Sequence, residues 1–242
     1  VLVAGAEAVR LPAHSSILSA RCPSLVPEIT EYLAKYRDVE ENGTRSENLA
    51  LAFPSISPRT LRTVLLYIYS GRIRLSSSNV FLVLLAAELL GMPRLSNIAS
   101  QHVRRTTDIS HILNYLVQSL EFNLASASAY LVSFIARHTE KVLARDEFVS
   151  LPTEAVSFIL KQETLSASES DIWYALVRWA CVRASIPVRV SLSSTSQEDL
   201  CKLRPHLRDF MQPGYLRILN LDVGCFANEV ETLAVISTEE AL

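Results

Sequence analysis

Glycine is scarce in this 242-residue chain, with 6 in all, and none falls in a G-x-G-x-x-G, P-loop or G-x-S-x-G pattern. A phosphate cradle or a hydrolase nucleophile elbow needs backbone that such glycines supply, so nucleotide-binding and serine-hydrolase chemistry have no carrier. Lysine is scarcer still, with Lys35, Lys141, Lys161 and Lys202 standing against 19 arginines. Long apolar runs are missing as well: the run from Val80 to Ala87 is cut by Glu88, far short of the ~20 residues that span a bilayer. No membrane insertion is expected. Nor is there a charge excess of one sign, since 23 basic and 25 acidic residues leave a net of −2, which argues against a nucleic-acid partner.

The groups that carry catalysis are thin too. Cys22, Cys181, Cys201 and Cys225 are dispersed with no CxxC spacing, so neither a zinc site nor a disulfide framework is signalled and reduced thiols are expected. His14, His102, His111, His138 and His206 are scattered, with no HExxH pattern. Carboxylate pairs such as Glu40-Glu41, Asp146-Glu147 and Glu239-Glu240 sit in polar stretches that read as solvated surface. His14, after Pro12-Ala13, has no partner at a telling spacing and reads as a partly buried residue hydrogen-bonding backbone at a strand-to-helix turn. The sequence therefore predicts no enzyme, no cofactor and no metal.

What the chain has in quantity is apolar surface. It is 49% hydrophobic with a mean hydropathy of +0.23, and its length suits two ordinary domains, each with a core. The charge divides in the middle: residues 1–107 carry 12 basic and 8 acidic groups, a net of +4, and residues 108–242 carry 11 and 17, a net of −6. Element type changes at the same place. The first part predicts strands around Val1–Gly5, Ala8–Leu11, Leu49–Phe53 and Ile73–Leu75. Helices are predicted after His14, over Ser24–Tyr36, after Ser57-Pro58 to Ser70, over Asn79–Leu90 and from Pro93. The polar stretch between Arg37 and Asn48 predicts an exposed loop. The second part predicts helices throughout, at Ile109–Leu120, Ala125–Arg137, Thr153–Leu160 and Glu169–Arg183, where Trp173 and Trp179 read as core anchors. Shorter helices are predicted at Gln197–Leu203, Pro205–Met211, Pro213–Leu219 and Cys225–Leu233. A first strand that starts at residue 1 predicts the ordered part of a longer protein.

Particular residues also carry a resemblance. Leu11-Pro12-Ala13-His14 with Ile17-Leu18-Ser19-Ala20-Arg21-Cys22-Pro23 resembles the signature of the BTB (POZ) domain. Leu65-Leu66-Tyr67-Ile68-Tyr69-Ser70-Gly71 and Asn79-Val80 through Gly91-Met92 and Leu95 follow it in the family's order. Leu131 to His138, Phe148 to Leu160, and Ser168-Glu169 with Ile172, Ala175, Leu176 and Trp179 resemble the BACK domain, with a looser match at Arg204 to Phe210. The resemblance implies an α+β BTB/POZ domain over 1–107, lacking the family's N-terminal helix. An all-α BACK domain over 108–221 and a C-terminal helical extension over 222–242 follow it.

It further implies an intracellular protein-interaction module, cytoplasmic or nuclear, that forms homodimers through the BTB domain. Many such proteins are substrate adaptors for ubiquitin ligases built on cullin-3. By resemblance the cullin-like face comprises Leu25, Ile29, Glu31, Tyr32, Leu33 and Lys35, extended by residues 108–138. A hydrophobic-x-Glu motif belongs on that face, and here Leu33-Ala34-Lys35 aligns with it, Lys35 standing for the glutamate; Ile29-Thr30-Glu31 has the right residue types one turn earlier. Two readings stay open: a cullin-3 adaptor, which the paucity of lysine suits, and a self-associating scaffold with no ligase role, which Lys35 and the polar stretch 37–48 favour.

Overall fold

The computed structural model describes residues 1–41, 50–188, 192, 195–212 and 214–233. The chain divides into two compact units, Val1–Thr106 and Thr107–Leu242.

The first unit is α+β. Strands β1 (Leu2–Ala4), β2 (Val9–Leu11) and β3 (Leu51–Phe53) form one sheet in the order β2-β1-β3. β1 and β2 are antiparallel, with Leu2 opposite Leu11 and Ala4 opposite Val9. Gly5, at φ +69°, makes the turn between them possible, and a Cβ there would press on Pro58. β1 and β3 are parallel, with Leu2 opposite Leu51, so the chain must cross over between them. Helices α1 (Ser15–Arg21) and α2 (Val26–Glu41) lie in that crossover. Helix α3 (Pro58–Ser70) has a Ser57 cap whose Oγ accepts the Thr60 N–H at 3.2 Å, proline at its first position, and Gly71 closing it at φ +70°. Its Leu61, Val64, Leu65 and Ile68 are buried. Helix α4 (Val80–Leu89) buries residues around most of its circumference, and α5 (Pro93–Thr106) packs on it. One core joins Leu2, Leu11, Leu18 and Leu95 from these elements with Leu25 and Ile56 from the turns between them.

The second unit is helical: α6 (Ile112–Glu121), α7 (Ala125–Arg137), α8 (Thr139–Leu143), α9 (Thr153–Leu160), α10 (Glu169–Arg183) and α11 (Gln197–Arg208). Trp173 and Trp179 are both buried on α10. The Trp179 indole N–H donates to the Leu151 carbonyl at 2.8 Å, and its ring meets Phe210 edge-on at 5.5 Å. The last described elements of the unit are α12 (Val223–Cys225), a π-helical stretch (Phe226–Val230) and α13 (Glu231–Leu233). Buried Glu229 accepts the Leu192 N–H at 2.8 Å, and the Arg204 guanidinium donates to the Leu233 carbonyl.

Several elements differ from the sequence expectations. Residues 37–41 continue α2 and are not loop; 42–49 lie outside the described residues. No strand forms at Ile73–Leu75, where both residues pack on the core without a ladder partner. The two helices expected at Gln197–Leu203 and Pro205–Met211 are one helix containing Pro205, followed by a 3₁₀ turn at Asp209–Met211. Of the helix expected at Pro213–Leu219, residue 213 lies outside the described residues and only a 3₁₀ turn at Ile218–Asn220 is found.

Candidate partner-binding face

Helix α2 begins after the Cys22-Pro23 break, through a 3₁₀ turn at Pro23–Leu25. Pro27 lies in its first turn, where no helical donor is lost, and Glu28 complements the positive end of the helix dipole. The Thr30 hydroxyl donates to the Val26 carbonyl at 2.8 Å. From Leu25 the apolar spacing sets the orientation: Leu25 and Ile29 are each 3% exposed and belong to the core. These two therefore cannot touch a partner directly; they seat the helix. Tyr32 is half-buried and already hydrogen-bonded or in contact within the protein. Glu31, Leu33 and Lys35 face water, Leu33 being 38% exposed.

Glu31 and Lys35 answer each other across one turn. Lys35 Nζ donates to Glu31 Oε1 at 2.6 Å, with the acid N-terminal to the base as the helix prefers. The Lys35 hydrogen bond and its charge hold the Glu31 carboxyl below its ordinary range. Both side chains are well exposed, so the pair is screened and weak. It neutralises the charge beside Leu33, and a partner using either group must compete with the other.

His14 is not buried. Its backbone N–H donates to the Tyr69 hydroxyl at 2.9 Å, and its Nδ1 lies 2.8 Å from that oxygen, so it ties the start of α1 to the end of α3. The expected contact is thus with a side chain rather than backbone. Sequence reasoning missed Tyr69 because its partner is 55 residues away. Cys22, Cys181 and Cys225 are buried free thiols, and Cys201 is an exposed one. Among the described residues no cluster of His, Cys, Asp or Glu could hold a metal, and no helix is long and apolar enough to cross a membrane.

A small mixed sheet with α2 and α3 packed on it, followed by a helical unit, is an α+β domain joined to an all-helical one, the arrangement of a protein-interaction module whose family is given by its matches to known domains. A family model for the BTB/POZ domain matches residues 1–107, and one described as BTB And C-terminal Kelch matches 112–187. The chain belongs to the BTB-BACK family. It is 30% identical over 179 residues to BTB/POZ domain-containing protein 9 of Rattus norvegicus, covering 72% of this chain and 27% of that protein. It is 28% identical over 170 residues to Kelch-like protein 26 of Homo sapiens, covering 69% and 26%. With Kelch-like protein 11 of Homo sapiens it shares 25% over 178 residues, 72% of this chain and 24% of that protein. The chain thus spans about a quarter of the length of these relatives.

Proposed function

We propose that this chain is the dimerisation and cullin-3-binding part of a ubiquitin-ligase substrate adaptor, acting inside the cell. The division is a BTB domain over 1–107, a BACK domain over 108–221 and a helical extension over 222–242. The observation that carries the reading is α2, which presents Glu31, Leu33 and Lys35 to water beside half-buried Tyr32, while Ile29 and, just before the helix, Leu25 are held in the core. Leu33 is the apolar contact; Lys35 stands two residues beyond it, where the family places glutamate, and Glu31, one turn earlier and 2.6 Å from Lys35, is the carboxylate nearest that position. Only 4 lysines leave few acceptor amines on a protein held beside a ligase.

A second reading, a self-associating scaffold with no ligase role, is favoured by Lys35, which occupies Glu31 and stands where a glutamate belongs. Calorimetric titration with the N-terminal domain of cullin-3 separates the two. The adaptor binds at tens of micromolar or tighter, loses binding with Leu33→Asp, and gains about tenfold with Lys35→Glu, the worth of one charge-assisted hydrogen bond. Absence of heat for both the parent and Lys35→Glu, with assembly in the ultracentrifuge, overturns the adaptor in favour of the scaffold.

A further inference from the structure

We propose that the outer face of α3 is a docking groove for a peptide segment with an apolar anchor flanked by carboxylates, a surface on a different helix from the one used in the preceding reading. The positions of α3 that face water include Arg59, Arg62, Leu66 and Tyr69, recurring at helical spacing opposite the buried stripe. Leu66 is 67% exposed and Tyr69 43%, so two large apolar side chains stand side by side in water. A shallow groove of about 310 Å³ runs there, lined by Arg62, Leu65, Leu66 and Tyr69. That volume suits one or two side chains of a peptide.

The groove's wall is held in place. The Tyr69 hydroxyl accepts the His14 N–H and meets His14 Nδ1, and the two rings lie edge-on at 5.8 Å. An anchor entering beside Tyr69 therefore finds a pre-oriented ring and loses little further freedom in ordering it.

Charge selects the occupant. The sequence has no acidic residue between Glu47 and Glu88, and Arg59, Arg62, Arg72 and Arg74 all fall in that stretch and are exposed. None of the four makes an ion pair among the described residues. Arg62, at the rim of the apolar groove, offers a planar fork of donors that matches a carboxylate. Apolar lining beside unpaired arginine selects an acidic peptide with leucine or phenylalanine at its centre.

The test titrates the 242-residue protein, ¹⁵N-labelled, with the peptide acetyl-Glu-Asp-Leu-Phe-Glu-Asp-Leu-amide and with a version carrying Gln and Asn for Glu and Asp. Saturable shifts centred on Arg62, Leu66 and Tyr69 are expected, with the uncharged peptide roughly tenfold weaker. Arg62→Gln costs about the same factor, and Leu66→Asp abolishes the shifts while leaving the circular dichroism unchanged. The proposal is overturned if both peptides bind equally, if the shifts map elsewhere, or if none saturate at millimolar peptide. It is equally overturned if Leu66→Asp dissolves a homodimer that the peptide does not displace, because the face is then an interface between copies.

Discussion

At the entry to α6, Oδ1 of Asp108 accepts the Ser110 hydroxyl at 2.7 Å and the His111 N–H at 2.9 Å, and lies 2.8 Å from His111 Nδ1. Ser110 above all, and His111 with it, stabilise the ionised carboxylate, holding the Asp108 pKa down to about 2 from an ordinary 3.8. A depressed folded-state pKa contributes stability that is present above the unfolded value and lost as pH falls through the folded one. The window is thus from about pH 4 to about pH 2. Asp108→Asn is expected to be less stable than the parent at pH 5 and to converge with it by pH 2, measured by urea unfolding across the range. A stability gap independent of pH would contradict the assignment. The site is well exposed, so the effect is small.

Residues also show where sequence reading stops. The spacing Leu25, Ile29, Tyr32, Leu33 marks an apolar stripe without saying whether it faces a core or a partner, since burial against either needs the same chemistry. The structure puts the first two in the core and leaves Leu33 at the edge.

Among elements, helix ends are set by short-range chemistry and were the most legible. Ser57-Pro58 and Ser70-Gly71 bracket α3, and Ser168 caps α10 by accepting the Asp171 N–H at 3.1 Å. The misplaced elements depend on distant partners. Ile73 and Leu75 alternate inward as in a strand, yet no neighbour supplies a ladder. Pro205 removes one helical hydrogen bond but does not break α11, because Leu203 and Leu207 are buried on either side and Phe210 is held against Trp179. Residues 37–41 lack an apolar stripe and continue the helix because nothing among them breaks it.

Two glycines with the same backbone role test this distinction. Gly71 ends α3 at φ +70° with nothing within 4 Å of an added Cβ. Gly91 follows α4 at φ +56°, and a Cβ there collides with the Ser24 side chain, whose hydroxyl donates to the Leu90 carbonyl at 2.7 Å. Gly71→Ala is expected to cost about 1 kcal/mol, the left-handed strain alone. Gly91→Ala is expected to cost about 2 to 3 kcal/mol, since the Ser24 hydrogen bond is lost as well. Chemical denaturation of the two variants measures the difference, and equal losses would remove Ser24 from the account.

On the scale of the whole molecule, near-neutral charge is an average over a positive half and a negative half, and the division by element type coincides with it. The chain divides into two compact units, and the first has a contiguous core of its own, so separate cooperative unfolding of the two is a testable expectation. The tryptophans make this measurable without cutting the chain. Only Trp173 and Trp179 occur in the sequence, and both are buried on α10 in the second unit. Their fluorescence therefore follows that unit alone, whereas far-ultraviolet circular dichroism follows helices in both. Gly91→Ala lies in the first unit. If the units unfold independently, it moves a dichroism transition to lower denaturant by roughly 1 M urea, from about 2 kcal/mol at a slope of ~1–3 kcal/mol/M, and leaves the fluorescence midpoint where it was. If the fluorescence midpoint moves by the same amount, the two units unfold as one, and a ligand on the first unit would then stabilise the second through the common transition.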